Sequence, residues 1–511
     1  MTLTEIPWTE QTSLPILGLL QVVPLAGAMV LAGIRRGSVA FPLGLALGAL
    51  ELALAIHLYL SFDVGSDAFQ MAERIRILGP LSYHAAVDGI GVLFILLTAF
   101  LTLMVALYGR VRPFEPQARF LAVVFACEAA LMSQFATVDL LWFTLVSVVQ
   151  FGTAGHLLRA WATSAEEGPA LVRFYEFMGF GMALLLGGAL MLGWVHADAT
   201  GGHWSFDVLD LAGTAVPPAL GSVIFYLLFY GLAIRIPLFP LHGWLPSAAE
   251  HGTVAPALVF LLGLKTGVYG LLRFLFPLVP DAVWQWHPYV VAFAAAGIFY
   301  AALLALMQQN LRRLLAYAVV SHTSVLVIGL FSLHPQAFQG STLLAVNFGL
   351  AVAGLLFMAG FVYRRTQTML LPKLGGLFDR LPLIGIAFLV AGLAIVGMPG
   401  TPGFDAAHLM LEAAIDRFGA LVTIAAALGN VAAAAFLLWA FQRAFLAPPV
   451  AGAATERPVR RAGPIELTLA TVMIVVQLAA GFFSEPWLKL VEQSTQTLAA
   501  PYEGRGKEAG R

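Results

Sequence analysis

The chain has 511 residues, of which 60% are hydrophobic and 11% charged, with a formal net charge of −1. A mean hydropathy of +0.87 lies far outside the soluble range, and the near-neutral balance offers nothing to a nucleic acid. One cysteine, Cys127, excludes an internal disulfide and a cysteine-based metal cluster, so no metal or cofactor is expected.

Met1 to Glu10 carries acidic residues and no basic one before the first apolar run, which argues against a cleavable signal peptide. From there apolar stretches of about 20 residues recur, each long enough to cross a bilayer. They predict fourteen spans, near 13–34, 39–62, 90–109, 119–137, 139–160, 171–195, 217–239, 255–276, 285–306, 312–333, 340–363, 382–403, 417–445 and 464–485. The expected class is an all-α polytopic membrane protein. Its largest polar connections run from Ser61 to Val87, Asp198 to Thr214, Tyr363 to Leu381 and Ala447 to Pro464, too short for a soluble domain. After the last span only Glu485 to Arg511 remains, with Tyr502 to Arg511 reading as a polar, disordered tail and no lateral helix expected.

Most lysines and arginines, among them Arg35, Arg110, Arg119, Arg312, Arg364 and Arg461, fall in connections after odd-numbered spans. The positive-inside rule places those connections in the cytoplasm and both termini on the periplasmic side. Trp284, Trp286 and Tyr289 suit an interfacial belt.

Two spans are interrupted. Span seven carries Pro237 and Pro240, and span twelve carries the run from Gly397 to Gly403. Proline removes a helical donor, and broken backbone is tolerated at depth only where protein or water satisfies it. The breaks lie five spans apart, which predicts that spans four to eight are repeated in nine to thirteen. The corresponding division is 1–118 for the first helices, 119–276 and 285–445 for the repeats, and 446–511 for span fourteen and the tail. Paired interrupted helices point to a transport site.

Lys265 stands alone in the middle of span eight. An ammonium at that depth costs roughly 2.5–3.5 kcal/mol, so it is expected to face a bundle interior or a hydrated path. Lysine can also give up its proton when buried, whereas arginine cannot, so Arg235 in span seven reads as a fixed cation. Glu128, mid-way along span four, is the candidate counter-ion for Arg235, with a purely structural hydrogen bond as the alternative reading. His242, between Pro240 and Trp244, reads as a cap on broken backbone before it reads as a relay. Asp405, His408 and Glu412 follow the break in span twelve and are candidates for an exit or an outer surface. No P-loop, dinucleotide fingerprint or spaced Cys/His cluster is present, so no catalytic site is expected in this chain. The many glycines fit close helix packing.

Tyr83-His84-Ala85-Ala86-Val87-Asp88, Pro240-Leu241-His242-Gly243-Trp244-Leu245-Pro246, Leu264-Lys265-Thr266-Gly267-Val268-Tyr269, Val320-Ser321-His322 and Gly397-Met398-Pro399-Gly400-Thr401 resemble the antiporter-like subunits of respiratory complex I. The likeness is greatest to chain M, which is related to Mrp-type cation/proton antiporters, and it covers nearly the whole chain. It implies two inverted five-helix repeats and a proton path along the middle of the membrane. It implies a relay role for Lys265 and His322, and matches Glu128 and Asp88 to acidic residues of the family. The family's fifth-span glutamate is Val148 here, its seventh-span lysine is Arg235, its histidine in span eleven is Asn347, and its site after the second break is Ala407.

Three functional readings follow from the resemblance. The first is a divergent chain-M-like, proton-conducting subunit of a complex-I-type NADH–quinone oxidoreductase in a bacterial inner membrane. Its partners would be other membrane subunits, the lipid bilayer and a soluble NADH dehydrogenase arm. The second is a DabB-type subunit coupling proton flux to inorganic-carbon uptake with a DabA-type partner. The third is a non-conducting structural subunit.

Overall fold

Long apolar helices cross and recross the protein, and their order follows the hydropathy pattern closely. The computed structural model describes residues 3–35, 37–79, 81–111, 114–448 and 459–505. Spans one to seven are Ile16–Gly33, Gly37–Ser61, Gly89–Val111, Gln117–Ala136, Leu140–Ala160, Glu167–Ala199 and Pro218–Arg235. Spans eight to eleven are Pro256–Leu278, Pro280–Leu306, Leu311–Leu330 and Pro335–Thr366, and spans thirteen and fourteen are Ala420–Leu446 and Pro464–Phe482. Span twelve is the shorter apolar helix Pro382–Val396, continued after its break by Pro402–Phe418. The predicted span ends at residue 403, short of this second half, because its polar face dilutes the hydropathy. Span seven likewise resumes as the short helix Leu245–His251.

Contacts between connections confirm the parity of the crossings. Connections after even-numbered spans meet one another: Arg74 Nη2 lies 2.8 Å from Asp207 Oδ2, and Arg505 Nη2 lies 2.7 Å from Asp281 Oδ1. Connections after odd-numbered spans meet one another as well: Trp161 Nε1 donates to the Glu115 carbonyl at 3.1 Å, and Arg312 Nη2 to Thr163 Oγ1 at 2.8 Å. An odd number of crossings anywhere between these partners would put them on opposite sides.

Two connections depart from the expectation of loop. Between spans two and three, β2 (Phe69–Leu78) and β3 (Leu81–Val87) form an antiparallel hairpin, and β1 (Glu5–Pro7) adds to β2 in parallel. The fold remains all-α in its membrane part; the hairpin is an appendage at one end. Its buried His84 lies between Asp207 (Nδ1–Oδ2 2.5 Å) and Glu5 (Nε2–Oε2 2.7 Å), tying the N-terminal strands to the connection after span six. After span fourteen, Glu485–Ala499 forms an amphipathic helix that packs on spans three and eleven. The start of the expected disordered tail is ordered instead: Tyr502 is buried and its hydroxyl donates to the Phe276 carbonyl at 2.7 Å. Residues 506–511 lie outside the described residues.

Spans eight and eleven are the axis of the molecule, fully buried along their apolar stretches, whereas spans two, thirteen and fourteen are buried over little more than a quarter of theirs. Large apolar side chains on those outer spans, such as Leu60, Leu421 and Phe482, stand outward, as lipid-facing surfaces require. At the axis, Gly263 of span eight and Gly349 of span eleven lie so close that a β-carbon on Gly349 would overlap the Gly263 carbonyl oxygen. Small residues permit this backbone approach.

Candidate functional site

Lys265 sits where span eight comes apart. The helix is π-wound over Val259–Gly263, extends at Leu264 (φ −103°, ψ 94°), and restarts as α-helix at Thr266. A π-helical turn beside a break is a frequent mark of a functional position. Lys265 is buried, and its Nζ donates to Thr323 Oγ1 of span ten at 2.8 Å. The same ammonium lies 4.4 Å from the centroid of the Phe348 ring of span eleven, a cation–π distance.

His322 is the second member of the cluster. Its imidazole stacks on Phe348 at 4.8 Å between centroids and 5° between planes, and neither ring nitrogen has a protein hydrogen-bond partner. Lys265 and His322 thus share a contact with Phe348, and Thr323, the residue after His322, accepts the hydrogen bond from the lysine. Ser321 and Ser324 donate to the carbonyls of Ile298 and Val320. Phe348 was not singled out from the sequence, where an aromatic in an apolar span carries no distinguishing signal. Three spans contribute one side chain or more to a point that sequence order spreads over residues 265 to 348.

Arg235 does not meet Glu128. Its guanidinium is buried over the rings of Phe143 and Phe151 of span five, at 5.3 and 5.0 Å, and none of its nitrogens has a hydrogen-bond partner. The Glu128 carboxylate is also buried, and neither of its oxygens has a hydrogen-bond partner. The counter-ion expected from sequence is thus corrected to aromatic faces and to the C-terminal end of the helix that Arg235 closes, where the dipole favours a cation. Val148 is 56% exposed and points away from Arg235, so position 148 belongs to the outer surface of this chain.

The break after Arg235 is capped by Trp244, whose Nε1 donates to the Ile234 carbonyl at 3.1 Å. His242 was expected in that role. Its Nδ1 is instead unpartnered in a box formed by Phe239, Tyr300 and Tyr317. In span twelve the cap is Asn347, whose Nδ2 donates to the Ala394 carbonyl at 2.9 Å while Oδ1 stays free. Asn347 therefore adjoins the Lys265 cluster through its neighbour Phe348 but spends its amide on broken backbone.

The remaining candidates lie elsewhere. Asp405 accepts a hydrogen bond from Ser484 next to the C-terminal helix, and His408 and Glu412 are exposed along the second half of span twelve. Asp88 caps span three through the Gly91 amide and pairs with Arg273 of span eight at 2.5 Å. Arg273 in turn contacts Tyr269, whose hydroxyl donates to the Phe135 carbonyl at 2.9 Å. This chain of contacts fixes the far half of span eight and hence the position of Lys265. No group of three or more metal-ligating side chains occurs among the described residues.

Residues 155–432 match the family described as NADH:quinone oxidoreductase/Mrp antiporter, transmembrane. The NADH-quinone oxidoreductase subunit M of Mycobacterium tuberculosis is 28% identical, over 95% of this chain and 94% of its own length. A chain of respiratory complex I from Thermus thermophilus with bound NADH superposes with a TM-score of 0.83 at 27% identity, over 94% of this chain and 99% of that one. A chain of the Mrp complex from Dietzia sp. shares the fold, with a TM-score of 0.85 at 21% identity over 96% and 98% of the two chains.

Proposed function

This chain belongs to the NADH:quinone oxidoreductase/Mrp antiporter transmembrane family, and we propose that it conducts protons as an antiporter-like membrane subunit of a complex-I-type NADH–quinone oxidoreductase. The observation that carries the reading is Lys265, an amine buried in the gap of a broken span and hydrogen-bonded to the residue next to His322. An amine held in that setting can exchange a proton with water entering the gap, and His322, with both nitrogens free of protein partners, is the next acceptor. Arg235, at the end of span seven, supplies a fixed positive potential and passes no proton. Asn347 and Trp244 hold open the two breaks by satisfying the carbonyls that the prolines and glycines release.

The two repeats expected from sequence are part of this proposal. An isolated backbone bridge joins Asp139 to Asp207, and another joins Asn310 to Leu370, at equivalent points five spans apart and on opposite sides. Together with the breaks in spans seven and twelve they support an inverted repeat of spans four to eight in nine to thirteen. The soluble partner is an NADH dehydrogenase arm, and the membrane a bacterial inner membrane with both termini periplasmic. Resemblance to respiratory and Mrp subunits favours this reading over a DabB-type inorganic-carbon pump and over a non-conducting scaffold.

The test is Lys265→Ala in the assembled complex reconstituted into vesicles. Insertion and assembly should survive, and proton-coupled activity should fall to background. Wild-type flux from a properly assembled variant removes Lys265 from the path.

A further inference from the structure

We propose that Glu51 and Glu128 form a proton-binding carboxyl dyad among spans two, three and four, a second proton site apart from the Lys265 cluster. Both side chains are fully buried, and none of their four carboxyl oxygens has a hydrogen-bond partner. Glu51 acts electrostatically on Glu128, and the fully buried hydroxyl of Thr102 in span three, itself otherwise unpartnered, is directed at Glu128.

Helix packing brings them together. The buried face of span two is Ala40, Gly44, Gly48, Glu51, Ala55 and Leu58. A β-carbon on Gly44 would lie 2.8 Å from Leu121 of span four, and one on Gly48 would lie 3.2 Å from Leu103 of span three. Spans two and four run in the same direction. Two turns beyond the Gly44–Leu121 contact, span two therefore presents Glu51 and span four presents Glu128.

No cation balances the pair. Span one contributes no ionisable side chain, and His57 on span two is exposed. Arg110 and Arg119 stand at the ends of spans three and four, some eight or nine residues and roughly 12–13 Å of helix away from Thr102 and Glu128. His156 and Arg159 lie near the end of span five, and Cys127, next to Glu128, is a buried thiol. Two buried carboxylates within electrostatic reach of each other and without a counter-charge cannot both stay ionised in a dry interior, so they retain a proton between them. A sodium ion is the less suitable occupant. Sodium sites in membranes draw on unwound backbone carbonyls, and spans two, three and four are continuous helix at these positions.

The experiment is infrared titration of the purified protein in nanodiscs, following the carbonyl stretch of protonated carboxylic acid in H2O and D2O. Wild type, Glu51→Gln, Glu128→Gln and the double variant are compared, each substitution preserving shape. The double variant supplies the background from all other carboxyls. Above it, wild type should release protons in two separated steps and each single variant in one intermediate step, as coupled groups do. Wild-type spectra equal to the double variant at neutral pH overturn the proposal. So do single variants whose steps simply add up to the wild type, and so does loss of the protonated band on adding sodium at fixed pH. Because no flux is measured, the result stands or falls separately from the role of Lys265.

Discussion

At the scale of single residues, the chemistry of this protein is decided by which buried groups have partners. Lys265 has a hydroxyl and an aromatic face; His322 has an aromatic face and two open nitrogens. If they are consecutive links, losing either breaks the same route. His322→Ala and Lys265→Ala should therefore be strongly non-additive, the double variant being little worse than either single one in vesicle proton flux. Additive losses would mean separate routes. Arg235 presents the opposite case, a buried charge with no hydrogen bond at all. Replacing a buried charge with an apolar side chain of similar volume is often neutral or stabilising by about 1–4 kcal/mol. Arg235→Met should then raise or leave unchanged the melting temperature in detergent while lowering proton flux. A marked drop in melting temperature would show that the guanidinium has a partner that the geometry does not reveal.

At the scale of helices, the site depends on two backbones lying closer than side chains allow. The Gly263–Gly349 approach sets span eleven against span eight, and Phe348 is the neighbour of Gly349. Gly349→Ala adds one methyl group against a backbone carbonyl that cannot rotate away. It should cost about 1–3 kcal/mol through overpacking. Because the spans must separate to accommodate it, the Phe348 contact with Lys265 loosens too, and flux should fall together with thermal stability. A variant with wild-type melting temperature and flux would show that the two spans can separate without consequence. The breaks in spans seven and twelve follow the same logic at other places: Trp244 and Asn347 supply the donors that an uninterrupted helix would supply itself.

At the scale of the whole molecule, the proposed orientation makes a prediction about access. Cys127 is buried, so it should remain silent to a membrane-impermeant thiol reagent. Asp67 lies in the connection after span two and Lys373 in the connection after span eleven, both exposed. In intact cells Asp67→Cys should react from outside, and Lys373→Cys should react only after the membrane is opened. The reverse pattern would invert the topology and put the excess of basic residues outside.

Hydropathy alone located, in order, the thirteen described helices long and apolar enough to cross and the shorter apolar helix of span twelve, because a bilayer demands about 20 apolar residues in succession and admits few alternatives. Proline and glycine placed both interruptions, and a single lysine in an apolar run marked the centre of the site. Short-range patterns could not say which way each side chain faces across a bundle that is apolar on every side. That decision belonged to the tertiary structure. It turned Val148 outward, set Arg235 against Phe143 and Phe151, and left Glu128 buried away from it. It also exchanged the expected cap His242 for Trp244, whose indole N–H donates to the freed carbonyl. Spans that share a composition are distinguished by rotation about their axes, and rotation is fixed by glycine contacts with helices far away in the chain.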